Sequence, residues 1–144
     1  MRFQTSDMSR LLILITIVFM VACQFKQSSL FDEVNRLAEF EGVGEPTLIQ
    51  YGEEDGYREP IMAYAIYKVD AHDFINMENS MMQNENFEAG SYYLNIELNE
   101  YLQKNHLKIL NMSNSQITQN KYERIYYVYL LSDRQTFVIC KVNL

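Results

Sequence analysis

The stretch YERIYYVYLL, residues 122–131, narrows the choice of fold more than any other part of the chain. Strong strand formers run through it, and both alternating sets are apolar or aromatic. Tyr122, Tyr126, Val128 and Leu130 share one side; Ile125, Tyr127, Tyr129 and Leu131 share the other. A sheet with one wet face alternates apolar with polar residues. This strand is therefore either central, with both faces covered, or it offers a tyrosine-rich face to another molecule. Eleven tyrosines and no tryptophan sharpen the choice, because tyrosine buries apolar area while keeping a hydroxyl for a partner. Tyr64, Tyr126, Tyr127 and Tyr129 form the candidate interaction surface on the second alternative. On the first they are core, since strands favour tyrosine in any case.

Around this strand the pattern lays out one α+β domain over residues 30–144. Leu30, Val34, Leu37, Ala38 and Glu41 follow helical spacing behind Ser29 as N-cap, and Gly42 and Gly44 end that helix. Residues 47–51 and 61–69 read as strands, and GEEDGYREP between them reads as a hairpin with an acidic tip. Asp70, with Asp73 three residues on, predicts the N-cap of a helix over residues 71–83, whose apolar stripe is Phe74, Met77 and Met81 with Ile75 and Met82 beside it. NENFEAGS breaks the pattern. Asn95 then caps a short third helix with Leu98, Tyr101 and Leu102 inward, and Asn105 stops it. Strands over 107–112, 122–131 and 135–143 close the chain, the last two joined by SDR in a tight hairpin, and the polar run 113–121 reads as a loop. The order αββααβββ implies a mainly antiparallel sheet of about five strands with helices packed on one face.

Candidate chemistry is sparse. Cys140 alternates with Val138 and Val142, which points its thiol into the core, where a free cysteine is commonly structural. Asp70, His72 and Asp73 could form a metal cluster or a polarised base, but helix capping accounts for both aspartates and a lone histidine is a weak ligand set. His106, next to a helix end, reads as a partner of the helix dipole. The three consecutive carboxylates of GEEDG lack the alternate spacing of a calcium loop and read as a solvated turn. The Met stripe suits core packing better than promiscuous binding. No nucleophile elbow, phosphate loop, dinucleotide fingerprint or zinc-spaced Cys/His set occurs, so no cofactor or metal is implied.

Localisation is written at the N-terminus. The apolar run Leu11–Ala22 has only 12 residues, about 18 Å of helix where a bilayer core needs roughly 20 residues. Arg2, Arg10 and the terminal amine precede it and the small Ala22 ends it, which is the grammar of a signal peptide. Met20-Val21-Ala22-Cys23 resembles the lipobox of bacterial lipoproteins, with Met20 where leucine is commonest. That resemblance implies cleavage after residue 22 and acylation of Cys23, with palmitate among the acyl chains. Residues 23–29 become a lipidated tether and the domain sits outside the cell membrane or at the outer membrane. Gln24, standing where an aspartate would direct retention, leans toward the outer membrane of a two-membrane envelope.

Removing residues 1–22 leaves 122 residues, one domain's worth, with 10 Lys and Arg against 18 Asp and Glu. Such a charge excludes nucleic acid as a partner, because phosphate binding needs clustered cations. With Cys23 acylated, Cys140 has no partner for an intrachain disulfide. The expectation is a membrane-anchored envelope lipoprotein whose small domain binds a protein or a cell-envelope component without catalysis. The alternatives are a hydrolase-like or metal-dependent enzyme built around His72, and a structural homodimer that covers the tyrosine face.

Overall fold

The computed structural model describes residues 30–56, 61–90, 96–119 and 122–144 of the chain. Its strands are β1 (Thr47–Glu54), β2 (Met62–Lys68), β3 (Glu88–Ala89), β4 (Ile109–Gln119), β5 (Tyr122–Leu131) and β6 (Thr136–Asn143). Its helices are α1 (residues 30–38), α2 (Ala71–Gln83) and α3 (Ile96–Lys104). One six-stranded antiparallel sheet has the order β1-β2-β6-β5-β4-β3. It is assembled from a β1β2 hairpin and a β4β5β6 meander, joined where β2 lies against β6 with Tyr64 opposite Cys140.

The central position of β5 and β6 settles the first question raised by the sequence, since each needs cover on both faces. On one side α1 and α2 pack Leu30, Phe31, Val34, Phe74, Met77 and Met81 onto Ala65, Tyr67, Tyr126, Val128, Phe137 and Ile139. On the other, Leu98 and Leu102 of α3 pack onto Met62, Tyr64, Ile66, Tyr129, Val138 and Cys140. The expectation of helices on one face is corrected accordingly. A strand apolar on both sides leaves two faces to bury, and a helix with one inward stripe can cover only one.

The run 113–121 is also corrected from loop to strand as far as Gln119. β5 is ten residues long, and the backbone groups along its N-terminal half need partners, which β4 supplies from Ser113 to Gln119. Ser113 and Ser115 are small enough to be buried without a large polar cost. β3 adds the sixth strand within NENFEAGS, beyond the five expected. The other elements lie within a few residues of their expected positions, and α2 covers residues 71–83 as read. Ser29, Asn95 and part of the β1–β2 tip lie outside the described residues.

Local chemistry ends the elements cleanly. The Asp133 carboxylate accepts from the backbone N–H groups of Gln135 and Thr136 and from the Thr136 hydroxyl, closing the β5–β6 hairpin with Arg134 in the left-handed region at φ 53°. Burial works against that carboxylate's charge, yet those donors and Lys68 hold its pKa below the ordinary value. Among the described residues, no helix is long and apolar enough to cross a membrane.

Candidate functional site

Each face of the sheet carries a tyrosine tied to a helix carboxylate. On the α3 side the Tyr64 hydroxyl donates to Glu97 at 2.6 Å and accepts from the Gln50 amide at 2.9 Å. Its ring lies across Gly52, the residue opposite it on β1. A Cβ at Gly52 would stand 2.3 Å from Tyr64 Cε1, so the glycine is what lets the ring lie flat. Burial, and then the Glu97 carboxylate, push the Tyr64 phenol up to about 12, while Gln50 pulls the other way. On the α1 side the Tyr126 hydroxyl donates to Glu33, which also receives Lys141 Nζ at 2.9 and 3.3 Å. That ammonium lies 5.9 Å from the Tyr126 ring centroid. Burial first, and then Glu33, raise the Tyr126 phenol above its ordinary value.

The structure buries three of the four residues of the candidate tyrosine surface. Tyr64, Tyr126 and Tyr129 are 1%, 3% and 0% exposed, so none can meet a partner without unfolding. Tyr127 is half-buried, with its ring stacked on Tyr129 at 6.3 Å. The physical reason is that both faces are covered: α3 lies over Tyr64 and Tyr129, and α1 and α2 lie over Tyr126.

Asp70, His72 and Asp73 do come together, with candidate ligand atoms within 4.8 Å of one another. Two of the three are already committed to holding the backbone. Asp70 caps α2, its carboxylate accepting from the Asp73 N–H at 2.8 Å. Asp73 accepts from the Gly44 N–H at 3.0 Å and so fastens the segment before β1 to the first turn of α2, a role beyond capping. His72 is 81% exposed at its side chain, with Nδ1 3.2 Å from Asn76 Nδ2 and 3.7 Å from Asp73. The expected result for Asp70→Ala is a loss of about 1 kcal/mol in thermal or denaturant unfolding, with His72→Ala close to neutral for folding and for any envelope phenotype. Loss of that phenotype in a stable His72→Ala variant would restore the catalytic alternative.

Cys140 lies where the strand alternation put it, 2% exposed beside Val138, and burial pushes its thiol up to about 12, the opposite of a reactive nucleophile. His106 is exposed and sits in the left-handed region at φ 54°. Its N–H bonds the Gln103 carbonyl and the Leu107 N–H bonds the Leu102 carbonyl, which closes the C-terminus of α3. This conformational role was not legible from a histidine near a helix end.

An open cleft of about 540 Å³ lies between α3 and the start of β4, lined by Asn99, Leu102, Gln103, His106, Lys108 and Ile109 among others. The Glu33–Lys141 pair was missed, although Lys141 follows Phe137 and Ile139 in an inward-facing alternation that a charge should interrupt only when partnered. Comparison with known proteins finds no protein-family model, no characterised protein and no solved structure that matches this chain.

Proposed function

We propose that the chain is a lipid-anchored envelope protein, with residues 1–22 as signal peptide, Cys23 as the acylated residue, and residues 30–144 as a domain that works by binding a protein or a cell-envelope component. The observation that carries this reading is the 12-residue apolar run that ends in Met20-Val21-Ala22-Cys23. It is too short to remain as a span and is followed by a thiol at the position where lipid is attached. Residue 30, the first described residue of α1, is seven residues after Cys23, and at about 3.3–3.6 Å per residue it stays within about 25 Å of the anchor. Multiple acyl chains hold such an anchor stably where one would not.

Binding is favoured over catalysis by what the polar groups are doing. The Asp70 and Asp73 carboxylates serve the backbone, the Glu33 and Glu97 carboxylates hold tyrosines, and the Cys140 thiol is buried with a raised pKa. The test is Cys23→Ser expressed in a bacterium with a lipoprotein pathway. The parent should take up labelled palmitate and sediment with membranes. The variant should take up none and appear unprocessed or released. Normal processing and membrane retention of Cys23→Ser would refute the anchor.

A further inference from the structure

The two edges of the sheet are unlike. β1 is guarded: Glu45 and Pro46 precede it, Glu53 and Glu54 end it, and its register breaks between Leu48 and Gln50. Charges, prolines and bulges are the devices that stop an edge from pairing with another strand. β4, at the other side, has no charge and no proline in eleven residues, ILNMSNSQITQ, within a chain of formal charge −7, and its register break, between Ile109 and Asn111, lies at the start of the strand, away from Gln116 and Thr118. Among the described residues, β3 pairs with it at Ser113 and Asn114. The Gly90 N–H bonds the Met112 carbonyl, which places that carbonyl on the outer edge. With the antiparallel period of two, the outward backbone groups that follow are those of Asn114, Gln116 and Thr118. Among the described residues, nothing pairs with Gln116 or Thr118 on that side.

We propose that this uncharged end of β4 is where a second copy of the chain docks, the two β4 strands pairing antiparallel so that two sheets become one. Charge selects the occupant. Two strongly acidic copies repel over most of their surfaces, and a self-paired β4 brings no like charges opposite one another. Symmetry limits the assembly, because an edge paired with itself is isologous and closes at two, and the guarded β1 edge prevents growth from the far side. The geometry also agrees with the anchoring reading, on which this part of the inference rests. Opposed residues of an antiparallel pair point to the same face. The α1-bearing faces of both copies therefore lie on one side, so both copies can turn that side toward one bilayer. Few residues take part, so the contact is weak in dilute solution and depends on the concentrating effect of a shared membrane.

The test uses the lipidated full chain in its native membrane, with Gln116→Cys on β4 or Ile49→Cys on the β1 edge, treated with a short bismaleimide. The expected result is a dimer-sized adduct from Gln116→Cys, several-fold above that from Ile49→Cys. Adding Thr118→Pro, which removes an outward N–H but no bond to β5, should abolish it while thermal unfolding stays cooperative. Should that variant fail to fold, Thr118→Lys sets like charges across the pair and should lower the adduct instead. Equal adducts at both edges, monomer alone, or an adduct that survives both blocking variants would overturn the proposal. So would an adduct of another mass, which would mean that a different protein occupies the edge. Membrane fractionation of the same samples reports the anchor separately: a soluble chain that still cross-links sinks the anchor, and a membrane-bound monomer sinks the pairing.

Discussion

Phe137→Ala is expected to remove about 3–5 kcal/mol of stability. The ring is fully buried and stacks on Tyr67 at 5.2 Å and 20°, with Phe31 6.1 Å away, itself 6.2 Å from Phe40. Phe137 thus joins α1 to the middle of the sheet. Its loss opens a cavity where two further rings lose their neighbour, and each such pair is worth about 0.5–1.5 kcal/mol beyond area burial. A domain of this size holds about 5–15 kcal/mol in all, so the loss takes a large part of the whole. Phe137→Leu, which keeps most of the volume, should lose much less. Urea unfolding followed by near-ultraviolet circular dichroism of the tyrosines checks both. A loss under about 2 kcal/mol for Phe137→Ala would mean that Phe31 and Tyr67 close the cavity, and that the aromatic contact is not what fixes α1.

The parts of the fold legible in the sequence are those where one local signal decides. Asp70 capping α2, the Phe74-Met77-Met81 stripe and the hairpin at Asp133 each depend on residues a few positions apart, and each came out as read. The buried Cys140 followed from strand alternation alone. What failed depends on which elements meet. Residues 113–119 are polar enough for a loop, and only the length of β5 across from them makes them a strand. Placement of α3 opposite α1 and α2 could be reached only by taking both apolar faces of β5 literally, which the alternative of an exposed tyrosine face prevented. At the candidate site, the partners of Tyr64 and Tyr126 lie 33 and 93 residues away, beyond any spacing rule.

Those two tyrosines explain how a sheet without a polar face can still be specific. Each hydroxyl lies beneath a covering helix, and each is met by a carboxylate from that helix, Glu97 of α3 and Glu33 of α1. Apolar burial fixes only that the helices cover the sheet; a buried donor with one acceptor fixes where along it they sit. The tyrosine load, which the sequence left open between core and a surface for a partner, here sets the register between layers of the domain itself.

Glu33 is the more demanding of the two positions because it answers two donors at once. Glu33→Ala is expected to lower stability by about 2–3 kcal/mol, since it leaves the Tyr126 hydroxyl without its acceptor and the Lys141 ammonium without its counter-charge. The ammonium's side chain is 18% exposed and the carboxylate's 24%, which puts the loss below that of a fully buried pair. Lys141→Met should be milder, about 1 kcal/mol, because Glu33 keeps the Tyr126 bond and some water. In Glu33→Leu with Lys141→Met both charges are gone and only the tyrosine hydroxyl is orphaned, so part of the loss should return. A double-mutant cycle by denaturant unfolding measures these terms against one another. If Glu33→Ala and Lys141→Met have equal effects, the Tyr126 bond contributes nothing, and the register between α1 and the sheet is set by Phe31 and Phe137 alone.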